Sequence, residues 1–430
     1  MTVTAWLSVV AFVCTYALIA TERVHRVAAA LGGAGLMLLI HATAAPSAFF
    51  SEHTGIDWNV IFLLFGMMVI VGVLKQTGVF EYLAIWAAKR ARGRPFRLLV
   101  LLVVITAGAS ALLDNVTTVL LIAPVTFLVC ERLALNVVPF LIAEAMASNI
   151  GGTATLVGDP PNIIIASRGG LTFNDFLVHL APLIVVLMVV FIGLCRVMFR
   201  KEFRYDPDRA AEIMALNERE AIADRRLLWQ SLAVLAVVMA AFVLHPVLHY
   251  EPSVVALLGA GVLVAATRVT TEEAIREVEW PTLVFFAGLF VMVGALVKTG
   301  VIGKISEAAV GATQGHLGFA TMLLLWASAA LSAVVDNIPY VATMSPIVAD
   351  LVQANGGNDV AQVLWWALAL GADLGGNATA VGAAANVVVL GIAARNRTPI
   401  SFWQFTKYGL VVTLVTVAIS TPYLWFRYLM

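Results

Sequence analysis

The chain has 430 residues, of which 61% are hydrophobic and 12% are charged. A soluble domain has roughly 25% charged and 45 to 50% apolar residues, so this composition excludes an ordinary soluble protein and predicts a polytopic membrane protein. The 26 basic and 26 acidic residues balance, and without a long basic run nothing indicates nucleic-acid binding.

The first half of the chain predicts a series of membrane spans, since one crossing needs about 20 apolar residues. In order, the segments are spans 5–21, 28–45 and 58–74, a basic amphipathic segment 79–94, an apolar pair 96–113 and 116–130, a broken segment 137–167 and a span 176–199. Basic residues follow the first span instead of preceding it. We therefore expect a retained helix with its N-terminus outside, not a cleaved signal.

A hydrophilic stretch, residues 200–226, then interrupts the apolar pattern. It is the predicted cytoplasmic linker between a first unit, 1–199, and a second unit, 227–430. In the second unit, the apolar pattern predicts spans 227–244, 252–267 and 280–297, an apolar pair 317–335 and 338–353, a broken segment 360–392 and a span 402–426.

The two halves repeat each other. Asp114-Asn115 corresponds to Asp336-Asn337 at an offset of 222, and Gly151-Gly152 corresponds to Gly375-Gly376 at an offset of 224. In membrane proteins, a pair of broken segments at corresponding positions is the best sequence indication of a transport site.

The repeat also predicts the fold. If each Asp-Asn pair forms the tip of a re-entrant hairpin, each half has about five transmembrane helices, one re-entrant hairpin and one broken helix, and the halves are inverted. Most lysine and arginine residues then fall on the cytoplasmic side, and both termini lie outside. The expected fold class is an all-α polytopic membrane protein of two inverted repeats.

Two acids, Asp114 and Asp336, lie within long apolar stretches. A lone carboxylate there is unfavourable by several kcal/mol unless it is paired, solvated or neutralised, which indicates function. Each could instead cap the half-helix that follows, because aspartate is a strong N-cap residue. The two roles are compatible.

The broken segments predict the facing half of the site. Their glycines allow backbone conformations closed to other residues, Pro160 and Pro161 interrupt the helix, and free carbonyls and helix ends suit ions. The candidate substrate- or ion-binding residues are Asp114, Asn115, Thr117, Thr118, Asn149, Gly151, Gly152, Thr153, Thr155, Asp159, Asn162, Asp336, Asn337, Asp373, Gly375, Gly376, Asn377, Thr379 and Asn386. Such oxygen and amide groups suit Na⁺, H⁺ or a hydroxylated solute.

Acidic residues break the symmetry of the repeat. Asp159 corresponds to Ala383, and Asp373 corresponds to Asn149. Coupling to H⁺ or Na⁺ requires such an asymmetry of charge, although ordinary divergence explains it about as well. Glu144, just before the first break, is either a proton carrier or a hydrogen-bonded residue in a helix contact.

Enzyme and metal signatures are missing from the sequence. Cys14, Cys130 and Cys195 are scattered within apolar segments, and no phosphate-binding loop, nucleophile elbow or Cys/His metal spacing occurs. We expect neither an enzyme nor a resident cofactor or metal, and no ATP-driven pump on this chain alone. The expected coupling ion is H⁺ or Na⁺.

The runs Ser110–Thr118 and Asn149–Asn162 resemble the ion transporter superfamily, specifically its branch of arsenite permeases, NhaD-type Na⁺/H⁺ antiporters and P protein, with a citrate-transporter-like domain. The similarity covers nearly the whole chain. It implies an inverted-repeat fold with two re-entrant hairpins, elevator-like movement, and a homodimer in the lipid bilayer of the cell membrane. A separate ATPase subunit is compatible with this resemblance.

The hairpin tips depart from the related dicarboxylate carriers, whose tips resemble Ser-Asn-Thr. Here the tips read Asp114-Asn115-Val116 and Asp336-Asn337-Ile338. Acids at both tips repel a di- or tricarboxylate. We therefore predict proton-coupled efflux of arsenite or antimonite, with Na⁺/H⁺ antiport as the alternative and dicarboxylate or citrate transport as a third, weaker reading.

Overall fold

The computed structural model describes residues 2–20, 24–203, 206–214, 217–313 and 316–430. These residues form helices and connecting turns, with no β-strand among them. The first half forms α1 Val3–Ala20, α2 Arg26–Leu39, α3 Ala45–Phe50, α4 Trp58–Lys75, α5 Val79–Ala91, α6 Pro95–Leu112, α7 Asn115–Arg132, α8 Val138–Gly152, α9 Pro160–Gly169, α10 Phe173–His179 and α11 Ala181–Met198. The linker and second half form α12 Pro207–Met214, α13 Arg225–Val243, α14 His245–Leu248, α15 Pro252–Ala266, α16 Thr271–Arg276, α17 Trp280–Lys298, α18 Val301–Thr313, α19 Leu317–Ser332, α20 Asn337–Ala354, α21 Val363–Gly375, α22 Ala384–Arg395 and α23 Phe402–Leu424. A 3₁₀ turn, Glu218–Ala221, lies in the linker, and a π-helical turn, Trp425–Leu429, follows α23.

Seven of the described helices are long and apolar enough to cross a membrane, namely α4, α6, α7, α11, α13, α17 and α23 with its π-helical extension. Shorter apolar helices accompany them, namely α1, α2, α15, α19, α21 and α22. These helices confirm the predicted all-α, multi-pass membrane protein. The inversion of the two halves across the membrane stays a prediction.

Most predicted spans match helices, and the differences occur where polar residues intervene. The predicted span 176–199 is two helices, because α10 ends at His179 and α11 begins at Ala181. Helix α18 was not predicted, since Lys304 and Glu307 interrupt its apolar pattern, and the short helices α3, α12, α14 and α16 were missed as well. Residue 21 of the predicted first span and residues 204–205 and 215–216 of the predicted linker lie outside the described residues.

The two halves pack on each other through α2 of the first half and α15 of the second half. Helix α2 packs on α17, and its counterpart α15 packs on α4. A Cβ atom at Gly66 would lie 2.6 Å from the carbonyl carbon of Ala256, and one at Gly288 would lie 3.0 Å from that of Ala30. Small residues allow membrane helices to approach this closely. We call α1, α2, α4, α13, α15 and α17 the frame.

The hairpin helices and the broken helices form a second packed group. Helix α6 packs on α8 and α19 on α21, while α7 packs on α22 and α20 on α9. A Cβ atom at Gly151 would lie 2.4 Å from the carbonyl oxygen of Ala107, and one at Gly375 would lie 2.6 Å from that of Ala329. We call α6–α9 and α19–α22 the hairpin group. Each hairpin therefore contacts broken helices of both halves.

The linker docks on α5, next to the first hairpin. Gly78 has φ +78°, and a Cβ atom there would lie 1.9 Å from the carbonyl oxygen of Ala221. The Ala223 N–H donates to the carbonyl oxygen of Thr77 at 3.0 Å. Lys89 and Glu218 form an ion pair at 2.5 Å, and this hydrogen bond holds the pKa of the Glu218 carboxyl below its usual value.

Substitution of Gly78 tests this docking against a matched control. Gly300 holds the corresponding position in the second half, with φ +75°, but nothing lies within 4 Å of its Cβ direction. Alanine at either position is forced into a left-handed conformation that costs roughly 1–2 kcal/mol, but only Gly78→Ala also collides with the linker backbone. We expect a clearly lower thermal-unfolding midpoint in detergent for Gly78→Ala than for Gly300→Ala; equal midpoints would contradict the docking.

Candidate functional site

Each hairpin tip begins a helix that its own aspartate caps. The Thr117 N–H donates to Asp114 Oδ1 at 2.7 Å, and the Ile338 N–H donates to Asp336 Oδ1 at 3.1 Å. Such bonds satisfy backbone donors that the first turn of a helix leaves free. The capping role considered from the sequence is therefore present in both halves.

Asparagine side chains close the two breaks. Asn162 Nδ2 donates to the carbonyl oxygens of Gly152 at 3.4 Å and Thr155 at 3.0 Å. In the second half, Asn386 Nδ2 donates to the carbonyl oxygens of Gly376 at 2.8 Å and Thr379 at 2.9 Å. The carbonyls released where α8 and α21 end thus regain partners inside the protein, as a low-dielectric interior requires.

Threonine hydroxyls join each break to the hairpin of its own half. Thr155 Oγ1 donates to the carbonyl oxygen of Ala111, and Thr379 Oγ1 donates to that of Ala333, both at 2.6 Å. These contacts fix the two loops against the ends of α6 and α19. They place the hairpin tips directly beside the breaks.

The centre of the site is Asp159, whose side chain is fully buried. Asn115 Nδ2 donates to Asp159 Oδ2 at 2.9 Å and to Asn149 Oδ1 at 3.1 Å. Asn337 Nδ2, from the other hairpin, lies 3.3 Å from Asp159 Oδ2 and 3.5 Å from Oδ1. One carboxylate of the first half therefore contacts the asparagines of both tips.

A second link crosses between the halves at Asn149. Its Nδ2 donates to Asn377 Oδ1 and to Asn386 Oδ1, each at 3.0 Å. The predicted residues of the two halves are thereby brought into one buried network.

Asp373 lies in the same region and is bonded differently. Its side chain is fully buried, and neither carboxyl oxygen accepts a hydrogen bond at normal distance within the described residues. Thr153, Asn162 and the Asp159 carboxyl are near enough to interact with it electrostatically. Among the asparagines of the predicted site, Asn115 Oδ1, Asn162 Oδ1 and Asn377 Nδ2 likewise have no hydrogen-bond partner within the described residues.

Three more of the predicted residues lie on α7 and α8 or directly after α8. Thr153 Oγ1 bonds back to the carbonyl oxygen of Asn149 at 2.8 Å, and Thr118 is buried with its hydroxyl unpartnered among the described residues. Glu144 lies nearer the beginning of α8. There, Thr126 Oγ1 donates to Glu144 Oε1 at 2.6 Å, and Oε2 has no described hydrogen-bond partner. Its predicted role as a proton carrier stays a prediction.

Serines that the sequence reasoning missed support the hairpins. Ser110 Oγ donates to the carbonyl oxygen of Ser148 at 2.7 Å, and Ser332 Oγ donates to that of Ala372 at 2.6 Å. Ser110 and Ser332 hold corresponding positions at the offset of 222. That correspondence is the signal that could have revealed them.

The two tips differ in their access to open space. Asp336 lies on a cavity of about 320 Å³, together with residues that precede and begin α2. Asp114 lies on a space of only about 10 Å³, enclosed by apolar side chains of α4. Among the described residues, the second tip therefore adjoins a sizeable cavity and the first tip does not, although both aspartates are partly exposed.

A family model of citrate transporters matches residues 16–371. The chain belongs to this family. An uncharacterized transporter of Mycobacterium bovis is 58% identical over 98% of both chains, and a 46 kDa membrane protein of Mycobacterium leprae is 56% identical over 98% of this chain and 99% of its own. Human P protein is 34% identical over 95% of this chain and 58% of its own length.

The fold also resembles a solved structure. The crystal structure of the Alcanivorax borkumensis YdaH transporter, reported to have an unusual topology, aligns with a TM-score of 0.54 and 17% identity over 85% of this chain and 84% of its own. This similarity concerns the fold. The family match and P protein confirm the predicted resemblance to the ion transporter superfamily and identify the chain as a membrane transporter.

Two substitutions of Asp159 separate its hydrogen bonds from its charge. Asp159→Asn keeps an oxygen that can accept from Asn115 and Asn337, whereas Asp159→Ala leaves both buried amides without this acceptor at roughly 1–3 kcal/mol each. We expect the thermal-unfolding midpoint in detergent to fall markedly for Asp159→Ala and little for Asp159→Asn. Equal midpoints would show that the carboxylate does not hold the two tips.

Proposed function

We propose that this transporter exports arsenite or antimonite, as the neutral hydroxide, in exchange for protons. The observation that carries the proposal is the composition of the buried centre. Its groups are carboxylates, amides and hydroxyls, and within the described residues no hydrogen bond or ion pair joins Asp159 or Asp373 to a lysine, arginine or histidine.

This composition argues against a citrate-like substrate, although the family is described by citrate transport. Two like charges about 4 Å apart repel by roughly 4 kcal/mol at an effective dielectric constant near 20. A di- or tricarboxylate beside Asp159 and Asp373 would meet several such repulsions. It would need compensating cations that the centre itself does not supply from its described side chains.

A neutral hydroxide fits the same groups without this penalty. Arsenite and antimonite exist near neutral pH largely as uncharged hydroxides, whose O–H groups can donate to carboxylate and amide oxygens and whose oxygens can accept from amide N–H groups. Asn115 Oδ1 and Asn377 Nδ2 are a buried acceptor and a buried donor of the required kinds. Asp373, whose carboxyl oxygens accept no hydrogen bond within 3.5 Å among the described residues, is our candidate for the carboxyl that exchanges a proton.

The packing supports an elevator-like movement. The hairpin group is tied together by the network around Asp159 and Asn149, whereas the frame is held by separate contacts of α2 with α17 and of α15 with α4. A group that is internally bonded can move against the frame as a unit. We further propose that both termini lie outside, which the distribution of lysine and arginine supports. A homodimer in the cell membrane is proposed on the resemblance to the family alone.

Na⁺/H⁺ antiport is the second candidate, and the oxygens near Asp373 favour it. Asp373 Oδ1, Asp373 Oδ2, Asn115 Oδ1 and Asn162 Oδ1 are buried acceptors without described partners. Hard oxygen ligands of this type suit Na⁺. The same carboxylates would then bind Na⁺ directly and exchange it for protons.

Transport by the purified protein in liposomes distinguishes these functions. We expect an imposed proton gradient to drive arsenite movement, with proton flux that depends on arsenite and no citrate uptake. If a Na⁺ gradient moves protons without arsenite and arsenite changes nothing, Na⁺/H⁺ antiport is correct and efflux of arsenite is wrong.

The tip acids provide a second test. Because asparagine also caps helices well, Asp114→Asn and Asp336→Asn should leave the protein folded, with a thermal-unfolding midpoint close to that of the wild type. We expect each to abolish coupled transport by removing a charge near the pathway. Near-normal transport by both variants would show that the two aspartates only cap their helices and have no role in transport.

A further inference from the structure

A polar cavity and an apolar groove lie on one seam between two frame helices, α13 and α15, which pack on each other. The cavity, of about 370 Å³, lies where α13 begins and α15 ends, and the groove, of about 400 Å³, runs along the same two helices. On α13, Gln230 lines the cavity and Val234, one turn later, lines the groove. On α15, Ala266 lines the cavity and Val262, one turn earlier, lines the groove. The two spaces therefore adjoin.

The cavity carries two exposed guanidinium groups. Arg226, in the first turn of α13, and Arg268, just after α15, both line it. Neither arginine forms an ion pair with a described residue. Arginine forks of this kind suit the oxygens of a phosphate group.

The two acids that line the cavity are bonded elsewhere. Asp224 Oδ1 accepts from the N–H groups of Arg226 at 2.8 Å and Leu227 at 3.1 Å. Glu273 Oε2 accepts from the Thr270 N–H at 2.8 Å. Each carboxylate thus lies at the beginning of a helix, where free N–H groups favour a negative charge. The guanidinium groups remain available for an anion from outside the chain.

The groove has the length and the surface that suit one acyl chain. From Ala233 to Ala241, α13 rises about 12 Å, close to the roughly 15 Å of hydrocarbon in one leaflet. Apart from Tyr250 and Gly259, the groove is lined by alanine, valine and leucine. Helix α13 is the least buried of the seven apolar helices, so this face is exposed to lipid.

An exposed tryptophan marks the level of the cavity in the bilayer. Trp229, beside Gln230 on α13, is 71% exposed. Tryptophan is enriched where membrane helices meet the headgroup region. The cavity therefore lies at headgroup depth, on the side of the predicted cytoplasmic linker, and the groove leads from it into the hydrocarbon.

The corresponding seam of the first half differs. Gly33-Ala34-Gly35 of α2 corresponds to Gly259-Ala260-Gly261 of α15 at an offset of 226, which puts Ala42 at the position of Arg268 and Ser8 at that of Val234. Ser8 is buried, and its hydroxyl donates to the carbonyl oxygen of Thr4 at 2.7 Å. The arginine after the second helix and the apolar residue on the first are thus specific to the second half.

We propose that the seam between α13 and α15 binds an anionic phospholipid, with its phosphate beside Arg226 and Arg268 and one acyl chain in the groove. Basic residues at the ends of membrane helices attract anionic headgroups, and the groove adds apolar contact with the chain. Since α15 packs on α4, this lipid is held by the frame. The inference goes beyond transport and does not depend on which solute is carried.

Lipid titration of the purified protein in detergent tests this site. The thermal-unfolding midpoint and the number of bound lipids, counted by native mass spectrometry, are measured with dioleoyl phosphatidylglycerol, with dioleoyl phosphatidylcholine and with inorganic phosphate at constant ionic strength. The variants are Arg226→Gln, Arg268→Gln and Val262→Trp, which fills the groove. As controls, Arg276→Gln removes an exposed arginine that pairs with Glu272, and Val189→Trp enlarges an exposed valine of α11.

We expect phosphatidylglycerol to bind and to raise the midpoint of the wild type, phosphatidylcholine to bind at least about tenfold more weakly, and inorganic phosphate to have no effect. Arg226→Gln and Arg268→Gln should each weaken the apparent affinity for phosphatidylglycerol about fivefold, because one favourable charge near the phosphate is lost. Val262→Trp should lose the lipid although both arginines remain. Both controls should bind it as the wild type does.

The proposal is overturned if phosphatidylcholine binds as tightly as phosphatidylglycerol, if inorganic phosphate gives the same stabilisation, or if Arg276→Gln weakens binding as much as Arg226→Gln. A changed oligomeric state of Val262→Trp with unchanged lipid binding would also overturn it, because the groove would then be an interface between two copies of this chain. The three substituted positions are exposed, so we expect the variants to fold. If one arginine variant does not fold, unchanged binding in the other and in Val262→Trp still contradicts the proposal.

Discussion

The contact of one buried carboxylate with both hairpin tips is the constraint on which the centre of the protein depends. Asp159 accepts from Asn115 of α7 and lies within hydrogen-bond distance of Asn337 of α20. A buried carboxylate without partners is strongly unfavourable, and a buried amide without a partner costs roughly 1–3 kcal/mol. The two asparagine amides therefore supply hydrogen bonds to the carboxylate, and the carboxylate supplies an acceptor to both amides. Because the tips come from different halves, this requirement positions the halves relative to each other.

The same requirement explains how two interrupted helices persist in a largely apolar protein. Asn162 and Asn386 bond the carbonyls that the interruptions release, and Thr155 and Thr379 bond the loops to the hairpins. The loops are thus fully connected structures, not flexible gaps. In the proposed transport cycle, a substrate group at a tip would meet fixed dipoles, which need little reorganisation to bind it.

The positions of the tips and breaks could be predicted because apolar length and internal repetition are properties of the chain itself. Side-chain directions could not. The carboxylates of Asp114 and Asp336 cap their own helices, while the adjacent Asn115 and Asn337 point to the centre, and a role of the two acids in transport stays a prediction. Helix α18 was missed because its charged residues remove the apolar signal.

The unequal bonding of Asp159 and Asp373 suggests how structural and transport roles are divided. Each acid comes from a different half and faces a neutral residue at the corresponding position, Ala383 or Asn149. If Asn149 and Ala383 were acids as well, each close pair of carboxylates would add a repulsion of roughly 4 kcal/mol. With only two, Asp159 can hold the tips, while Asp373, whose oxygens accept no hydrogen bond within 3.5 Å among the described residues, is the carboxyl that we propose to gain and lose a proton. A symmetric arrangement would force both roles onto both carboxylates, and each exchange of a cation would then loosen the contact between the halves.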